Sequence, residues 1–188
     1  MAEATLNGFR VAILATNGVE QSELTEPRKA LDEAGAHTTL LALKPGKIQA
    51  MEHDEKSEQF TVDARLDQAS PDEFDAVLLP GGALNADALR MEKSAREFVK
   101  KIDQAGKPIA AICHAPWLLI SAGLVKGRKL TSYHTIQDDL RNAGAEWADQ
   151  SVVHDGNWVS SRQPSDIPAF NREMIRLFGE TQKVRKAA

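Results

Sequence analysis

Cysteine occurs once in these 188 residues, at position 113. A lone cysteine closes no internal disulfide, so packing alone must hold the fold, and a free thiol fits a reducing cytoplasm. No stretch approaches the roughly 18 consecutive apolar residues that a membrane-spanning helix requires. The first residues, Met1 to Thr5, lack a basic segment followed by an apolar core, so no signal peptide is expected. Basic charge is not in excess: 23 Lys and Arg stand against 27 Asp and Glu, a net charge of −4. That balance argues against a nucleic-acid partner, which calls for a basic face or stripe. Lys183, Arg185 and Lys186 read as a solvated tail. Repeats, low-complexity tracts and linkers are also missing, so residues 1–188 read as one domain, long enough to bury roughly 70% of its unfolded surface. No His or Cys spacing matches a metal motif. His53 stands among Glu52, Asp54 and Glu55, but a charged, solvated turn explains that set better than a metal site. No metal or cofactor is expected.

What is present is a regular alternation of short apolar runs and helical patterns. Phe9–Ala15 reads as a strand buried on both faces, and Thr38–Leu43, Asp75–Leu79 and Lys107–Ile112 read as further strands of the core. Between them, Ser22 can cap a helix that Gly35 stops, and Ala83–Gln104 is helical with a break near Met91. Lys44–Ser70 is polar, an excursion of short strands with charged turns. Lys129–Tyr133 reads as a further strand, Ile136–Asn142 as a short helix, and Val152–Val159 as a hairpin turning at Asp155-Gly156. Ser165 or Asp166 caps a last helix that runs to about Phe178, with Phe170, Met174 or Ile175, and Phe178 inward. The pattern predicts an α/β domain with a mostly parallel sheet covered on both faces.

In Lys107–Trp117 a strand runs straight into a helix, and Cys113 stands at the junction. That forces the junction residue onto a tight, exposed turn, a nucleophile elbow with Cys for Ser and with Ala111 and Ala115 in place of glycines. The helix N-terminus offers unpaired amides and partial positive charge, both favouring a thiolate; the competing reading is a small buried hydrophobe. His114 follows directly, but neighbours at a sharp turn need not face one another. Other strand ends, where ligands gather in such sheets, carry Glu20 and Glu23, then Pro80-Gly81-Gly82, and His134. The glycines let backbone amides approach a reacting oxygen, and together with the amide of His114, just beyond Cys113, they can form an oxyanion hole. An ionised Glu beside Cys113 would raise the thiol pKa, whereas a Glu kept protonated by burial would donate to the thiolate. A functional Glu here must therefore itself be perturbed upward.

Taken together, Val77–Gly82, Ala111–Pro116, Gly127–Lys129, Thr131–Tyr133, Asn142–Trp147 and Asp155–Arg162 resemble the PfpI-type intracellular protease and general stress protein branch of the ThiJ/PfpI superfamily. The resemblance covers nearly the whole chain. It implies a flavodoxin-like three-layer sandwich with a class I glutamine amidotransferase-like nucleophile elbow, a cytoplasmic location, and dimers or larger homo-oligomers. It matches Cys113 to the reactive cysteine, His114 to its neighbouring histidine, Glu23 to the acid contacting the cysteine, Glu20 to a second acid, and Gly81 and Gly82 to the backbone beside the nucleophile. Ala115, Gln21, Tyr133 and His134 depart from the pattern: relatives often carry glycine, another acid, histidine and proline there. In some members a third catalytic partner comes from a neighbouring subunit. The implied activity is thiolate attack on a reactive dicarbonyl or its early protein adduct, with Gly81 and Gly82 amides on the oxyanion and His114 or Glu23 moving protons. The alternatives are an intracellular cysteine protease, or a redox-sensing or chaperone-like stress protein in which Cys113 is oxidised to sulfinic acid beside protonated Glu23.

Overall fold

The structure is a computed structural model and describes residues 5–187; the signal-peptide expectation at Met1–Ala4 lies outside them. In chain order the elements are β1 (Arg10–Leu14), β2 (Val19–Glu20), α1 (Gln21–Glu33), β3 (His37–Ala42), β4 (Lys47–Glu52), β5 (Glu55–Thr61), β6 (Ala64–Arg65), β7 (Ala76–Leu79), α2 (Ala83–Met91), α3 (Lys93–Gln104), β8 (Ile109–Ile112), α4 (Pro116–Ser121), β9 (Lys129–Leu130), α5 (Gln137–Asn142), β10 (Glu146–Trp147), β11 (Val152–Asp155), β12 (Trp158–Ser161) and α6 (Ile167–Ala187).

A seven-stranded sheet ordered β11-β12-β8-β7-β1-β3-β6 forms the centre. Its pairings are parallel except for β11, which runs antiparallel to β12. Side chains alternate across it, so both faces need cover. Val11 and Ile13 join Leu24, Leu31, Phe170, Met174 and Phe178 under α1 and α6. Ala12 and Leu14 join Phe98, Val99, Ile102, Leu118 and Leu119 under α3 and α4. The result is the three-layer α/β sandwich expected from the sequence. β7 and β8 pair side by side, which brings Gly81 and Cys113, just past their carboxyl ends, together. The excursion after β3 forms the β4–β5 hairpin, which pairs with β2 in a small sheet beside the same end.

Several boundaries differ from the sequence expectation, each for a local reason. Ser22 does not cap α1; β2 runs directly into the helix and Glu20 occupies the cap position without a side-chain hydrogen bond. The strand expected over Lys129–Tyr133 stops at Leu130. Thr131 N–H donates instead to Ser160 Oγ (3.0 Å), and Tyr133 N–H to the carbonyl of Cys113 (2.9 Å). The hairpin turns at Gly156-Asn157, one residue later, because Asp155 stays paired with Trp158 and its carboxylate accepts the Lys129 N–H. Ser165 and Asp166 lie in a 3-10 turn before α6, and the Asp166 carboxylate is taken by Arg162 at 2.8 and 3.1 Å. The last helix runs on past Phe178 to Ala187; Lys183 and Arg185 on it are exposed, as expected of a solvated tail, while Gln182 bonds the Asn7 carbonyl and Arg185 pairs with Asp75.

Candidate active site

Cys113 sits between the end of β8 and the start of α4 with φ at 63°, one of two non-glycine residues with positive φ among the described residues. A left-handed L-residue costs roughly 1–2 kcal/mol, so its surroundings must hold it there. They do so on both sides: its N–H donates to Ser161 O (3.1 Å) and its carbonyl accepts the Tyr133 N–H. Ala111 and Ala115 are both buried, consistent with the need for small residues around the turn. Only 7% of Cys113 is exposed. Burial pushes the thiol well above the ordinary cysteine range, and negative charge on Glu23 would add to that; the backbone N–H groups of Gly82 and His114 pull the other way.

The turn also sends the next side chain back toward the sulfur. His114 Nδ1 lies 3.1 Å from Cys113 Sγ, so the two neighbours do face one another. At its far end, His114 Nε2 is 3.3 Å from Thr135 Oγ1. The ring packs against Tyr133, centroids 5.0 Å apart, and edge-on to Trp117 at 5.3 Å. Burial, with His134 nearby, lowers the His114 pKa. The imidazole is therefore neutral at pH 7. With a protonated thiol at Nδ1, the ring proton resides on Nε2 and is donated to Thr135. Thr135 was not singled out in the sequence; it stands in a 3-10 turn after a strand end, and no spacing marks it.

Glu23 is fully buried in the first turn of α1. Its Oε2 accepts the Gly81 N–H at 2.9 Å, while Oε1 has no hydrogen-bond partner. Burial raises its pKa to about 8, the nearness of the Cys113 thiol opposes that, the Glu20 charge adds to it, and the Gly81 N–H opposes it. Glu23 is thus a neutral acid at pH 7, the upward perturbation that a useful Glu requires here. Protonated, it exerts no repulsion on a Cys113 thiolate and can donate to it; the two groups titrate as a pair. The Gly81 amide, expected to serve an oxyanion, is already committed to Glu23. Gly82 and His114 supply the amides nearest the sulfur. Glu20 is half-buried and lies off the sulfur's hydrogen bonds; its Oε2 accepts the His53 N–H (3.0 Å) from the tip of the β4–β5 hairpin.

These groups open into a cavity of about 540 Å³ whose wall includes Glu20, Glu23, Gly82, Cys113, His114 and Tyr133. The hairpin tip, with Met51, His53 and Asp54, forms another side. His134 packs at a tilt against Tyr133, centroids 4.5 Å apart, beside the site. Among the described residues, no three His, Cys, Asp or Glu side chains gather as a metal site, and no helix is long and apolar enough to cross a membrane.

A strained cysteine at a strand-to-helix turn, backed by a neutral buried glutamic acid, defines a cysteine-elbow α/β protein. The chain belongs to the DJ-1/PfpI family, whose profile matches residues 9–177. It is 44% identical to Deglycase PfpI of Pyrococcus furiosus over 169 residues, spanning 90% of this chain and 99% of that protein. It is 44% identical to protein/nucleic acid deglycase 2 of Escherichia coli, spanning 90% and 98%, and 42% identical to general stress protein 18 of Bacillus subtilis, with the same coverage. Among solved structures, Drosophila melanogaster DJ-1beta superposes with a TM-score of 0.84 at 29% identity, covering 96% of this chain and 97% of that one. The fold is accordingly flavodoxin-like.

Proposed function

We propose that this protein is a cysteine-dependent enzyme that converts reactive α-dicarbonyls, free or as early adducts on protein, to hydroxy acids. The observation that carries the reading is the pairing of Cys113 with a neutral base, His114 Nδ1 at 3.1 Å, beside a buried carboxylic acid, Glu23. For methylglyoxal, His114 Nδ1 takes the thiol proton as sulfur bonds to the aldehyde carbon, whose C=O electrons go to oxygen, so no free thiolate has to form in the buried site. Amides of Gly82 and His114 stabilise the charge, and the imidazolium returns the proton, leaving a hemithioacetal. His114 then moves the proton from that carbon to the neighbouring carbonyl carbon through an enediol, giving a lactoyl thioester. Water cleaves the thioester, releasing lactate and the thiol. One carbon is oxidised and its neighbour reduced, so no outside oxidant is needed.

A peptidase must also protonate a departing amine. No carboxylate holds His114 for that step; its partner is the Thr135 hydroxyl. Addition to a free dicarbonyl has no amine to expel. The relatives named deglycases support the same reading. Residues 1–188 are read as one domain with this single active site, and the buried free thiol supports a cytoplasmic location. Exposed Leu84 and Met91 on α2, at 66% and 72%, support assembly into a homodimer or larger homo-oligomer. The deciding assay measures lactate from methylglyoxal, peptide hydrolysis and peroxide inactivation for wild type and Cys113→Ser. Lactate formation by wild type alone is expected; equal formation by both proteins overturns the reading.

A further inference from the structure

Asparagine is followed by glycine at Asn7-Gly8 and at Asn17-Gly18. Such a pair is chemically labile, because glycine lacks the side chain that would shield its amide nitrogen from the neighbouring carboxamide. Both pairs fold alike. Phe9 N–H donates to Leu6 O (2.9 Å) across the first, with Gly8 at φ 76°. Val19 N–H donates to Thr16 O (3.3 Å) across the second, with Gly18 at φ 86°. Each is a tight turn with glycine at its third position, where a positive φ is required. Sequence and turn therefore do not tell the two asparagines apart.

Their surroundings do. Gly18 is buried, its N–H donates to Gln49 O (2.8 Å), and Asn17 Oδ1 accepts the Gln49 N–H (2.8 Å). Strand β4 thus holds both groups that would have to react. Asn7 and Gly8 are exposed. Among the described residues, neither the Gly8 N–H nor the Asn7 carboxamide has a hydrogen-bond partner. The carboxamide rests on Gly35, where a Cβ would overlap its oxygen. The bonds that do hold this turn end on the carbonyls of Leu6 and Asn7, the second reached by Gln182 Nε2 at 2.9 Å, and leave both reacting groups free. We propose that Asn7 is a site of spontaneous deamidation and isoaspartate formation, and that β4 protects Asn17, beside the cavity over Cys113, from the same reaction. Water takes the Gly8 amide proton as the nitrogen bonds to Asn7 Cγ. The Cγ–Nδ2 bond then breaks and ammonia leaves, closing a succinimide ring. A second water opens the ring at Cγ to give aspartate, or at the Asn7 main-chain carbonyl carbon to give isoaspartate. Overall one water is consumed and one ammonia released, and nothing is oxidised or reduced. The isoaspartyl link lengthens the main chain just after buried Leu6, whose N–H is held by Ala34 O at 2.7 Å. That change falls before β1, at the end of the sheet opposite Cys113.

The test incubates the folded protein at mildly alkaline pH beside a sample unfolded in urea. Mass spectrometry follows the peptides carrying Asn7 and Asn17, and enzymatic methyl transfer reads isoaspartate. In the folded protein Asn7 should convert at least roughly tenfold faster than Asn17, the factor expected when Gly18 must first leave its hydrogen bonds. In urea the two rates should draw together, since the same dipeptide is then equally free at both places. Asn7→Gln should erase the isoaspartate signal of the folded protein. Equal conversion of the two in the folded protein, faster conversion at Asn17, or an intact Asn7 after the urea sample has converted overturns the proposal. A gap between the two sites that persists unchanged in urea overturns the protection assigned to β4.

Discussion

Cys113 Sγ and His114 Nδ1 lie 3.1 Å apart although the two residues are consecutive. In a strand, consecutive side chains point to opposite faces. The positive φ at Cys113 is what breaks that alternation and folds the imidazole back onto its neighbour. On the proposed reaction, this contact makes His114 the base that takes the thiol proton. His114→Ala should lower lactate formation by at least about 100-fold, the scale of a lost general base. Because the His114 pKa is lowered, the acid limb of the wild-type pH profile should lie below that of an ordinary histidine. A variant within twofold of wild type would show that His114 moves no proton.

Glu23 makes a separate prediction through its charge state. As a neutral acid it is a stronger donor to sulfur than an amide, so Glu23→Gln should slow iodoacetamide alkylation of Cys113 several-fold near pH 6–7. Above pH 9 the order should reverse, because ionised Glu23 then opposes the wild-type thiolate while glutamine stays neutral. Parallel alkylation profiles that never cross would remove Glu23 from the titration of the thiol.

The same group links stability to pH. Folding raises the Glu23 pKa from 4.5 to about 8, so the native state holds this proton more tightly than the unfolded chain. Stability from this group is fully present below pH 4.5 and is lost as pH rises toward 8. The slope of that loss is at most ~1.4 kcal/mol per pH unit. Denaturant titrations from pH 5 to 8 should show wild type losing stability relative to Glu23→Gln. A constant difference across that range would mean that Glu23 is ionised in the native state.

Much of this architecture was legible in the sequence because strong patterns carried it. The apolar runs at β1, β7 and β8 and the second half of β3 call for burial, which a parallel sheet covered on both faces supplies. The junction at Cys113 follows from the absence of any loop between Ile112 and Pro116. The burial of Glu23 was less visible, since a carboxylate in a first helical turn usually faces water; only the sign of its effect on a thiol could be argued. The Cys113–His114 contact and the hydroxyl of Thr135 were not legible. Both depend on one backbone angle and on how Thr131–Tyr133 leaves β9 to bond the elbow. Spacing along the chain encodes neither.

Thr135 orients His114 without touching the sulfur. Its Oγ1, 3.3 Å from Nε2, accepts the ring proton and leaves Nδ1 free for the thiol. Thr135→Val removes the acceptor while keeping the shape. The expected result is a drop in kcat of about threefold to tenfold with KM little changed, the scale of one hydrogen bond. Thr135→Ser should restore it. Nitrogen NMR of the imidazole should report an Nε2 proton in wild type and a mixture of tautomers in the valine variant. Identical tautomers in both would reduce Thr135 to a bystander.

Gly81 and Gly123 separate two uses of glycine. Gly123 takes a positive φ of 74° after α4, and a Cβ there would meet nothing within 4 Å. Gly123→Ala should therefore cost only the backbone term, about 1 kcal/mol, and leave Cys113 alkylation intact. Gly81 lies where three parts of the site converge. An added Cβ would strike Glu23 Oε2, come within 2.7 Å of Cys113 Cβ and within 2.8 Å of the Ile112 carbonyl. Each neighbour is fixed, the first by the Gly81 amide and the others by the elbow, so none can yield cheaply. Gly81→Ala should cost about 1–3 kcal/mol through overpacking and also abolish most turnover, because the Glu23–Gly81 bond and the Cys113 turn shift together. Thermal unfolding and alkylation rates measured on both variants decide the matter. If Gly81→Ala loses no more activity than Gly123→Ala, the close approach of β7 and β8 at this point is a packing feature without a part in the chemistry.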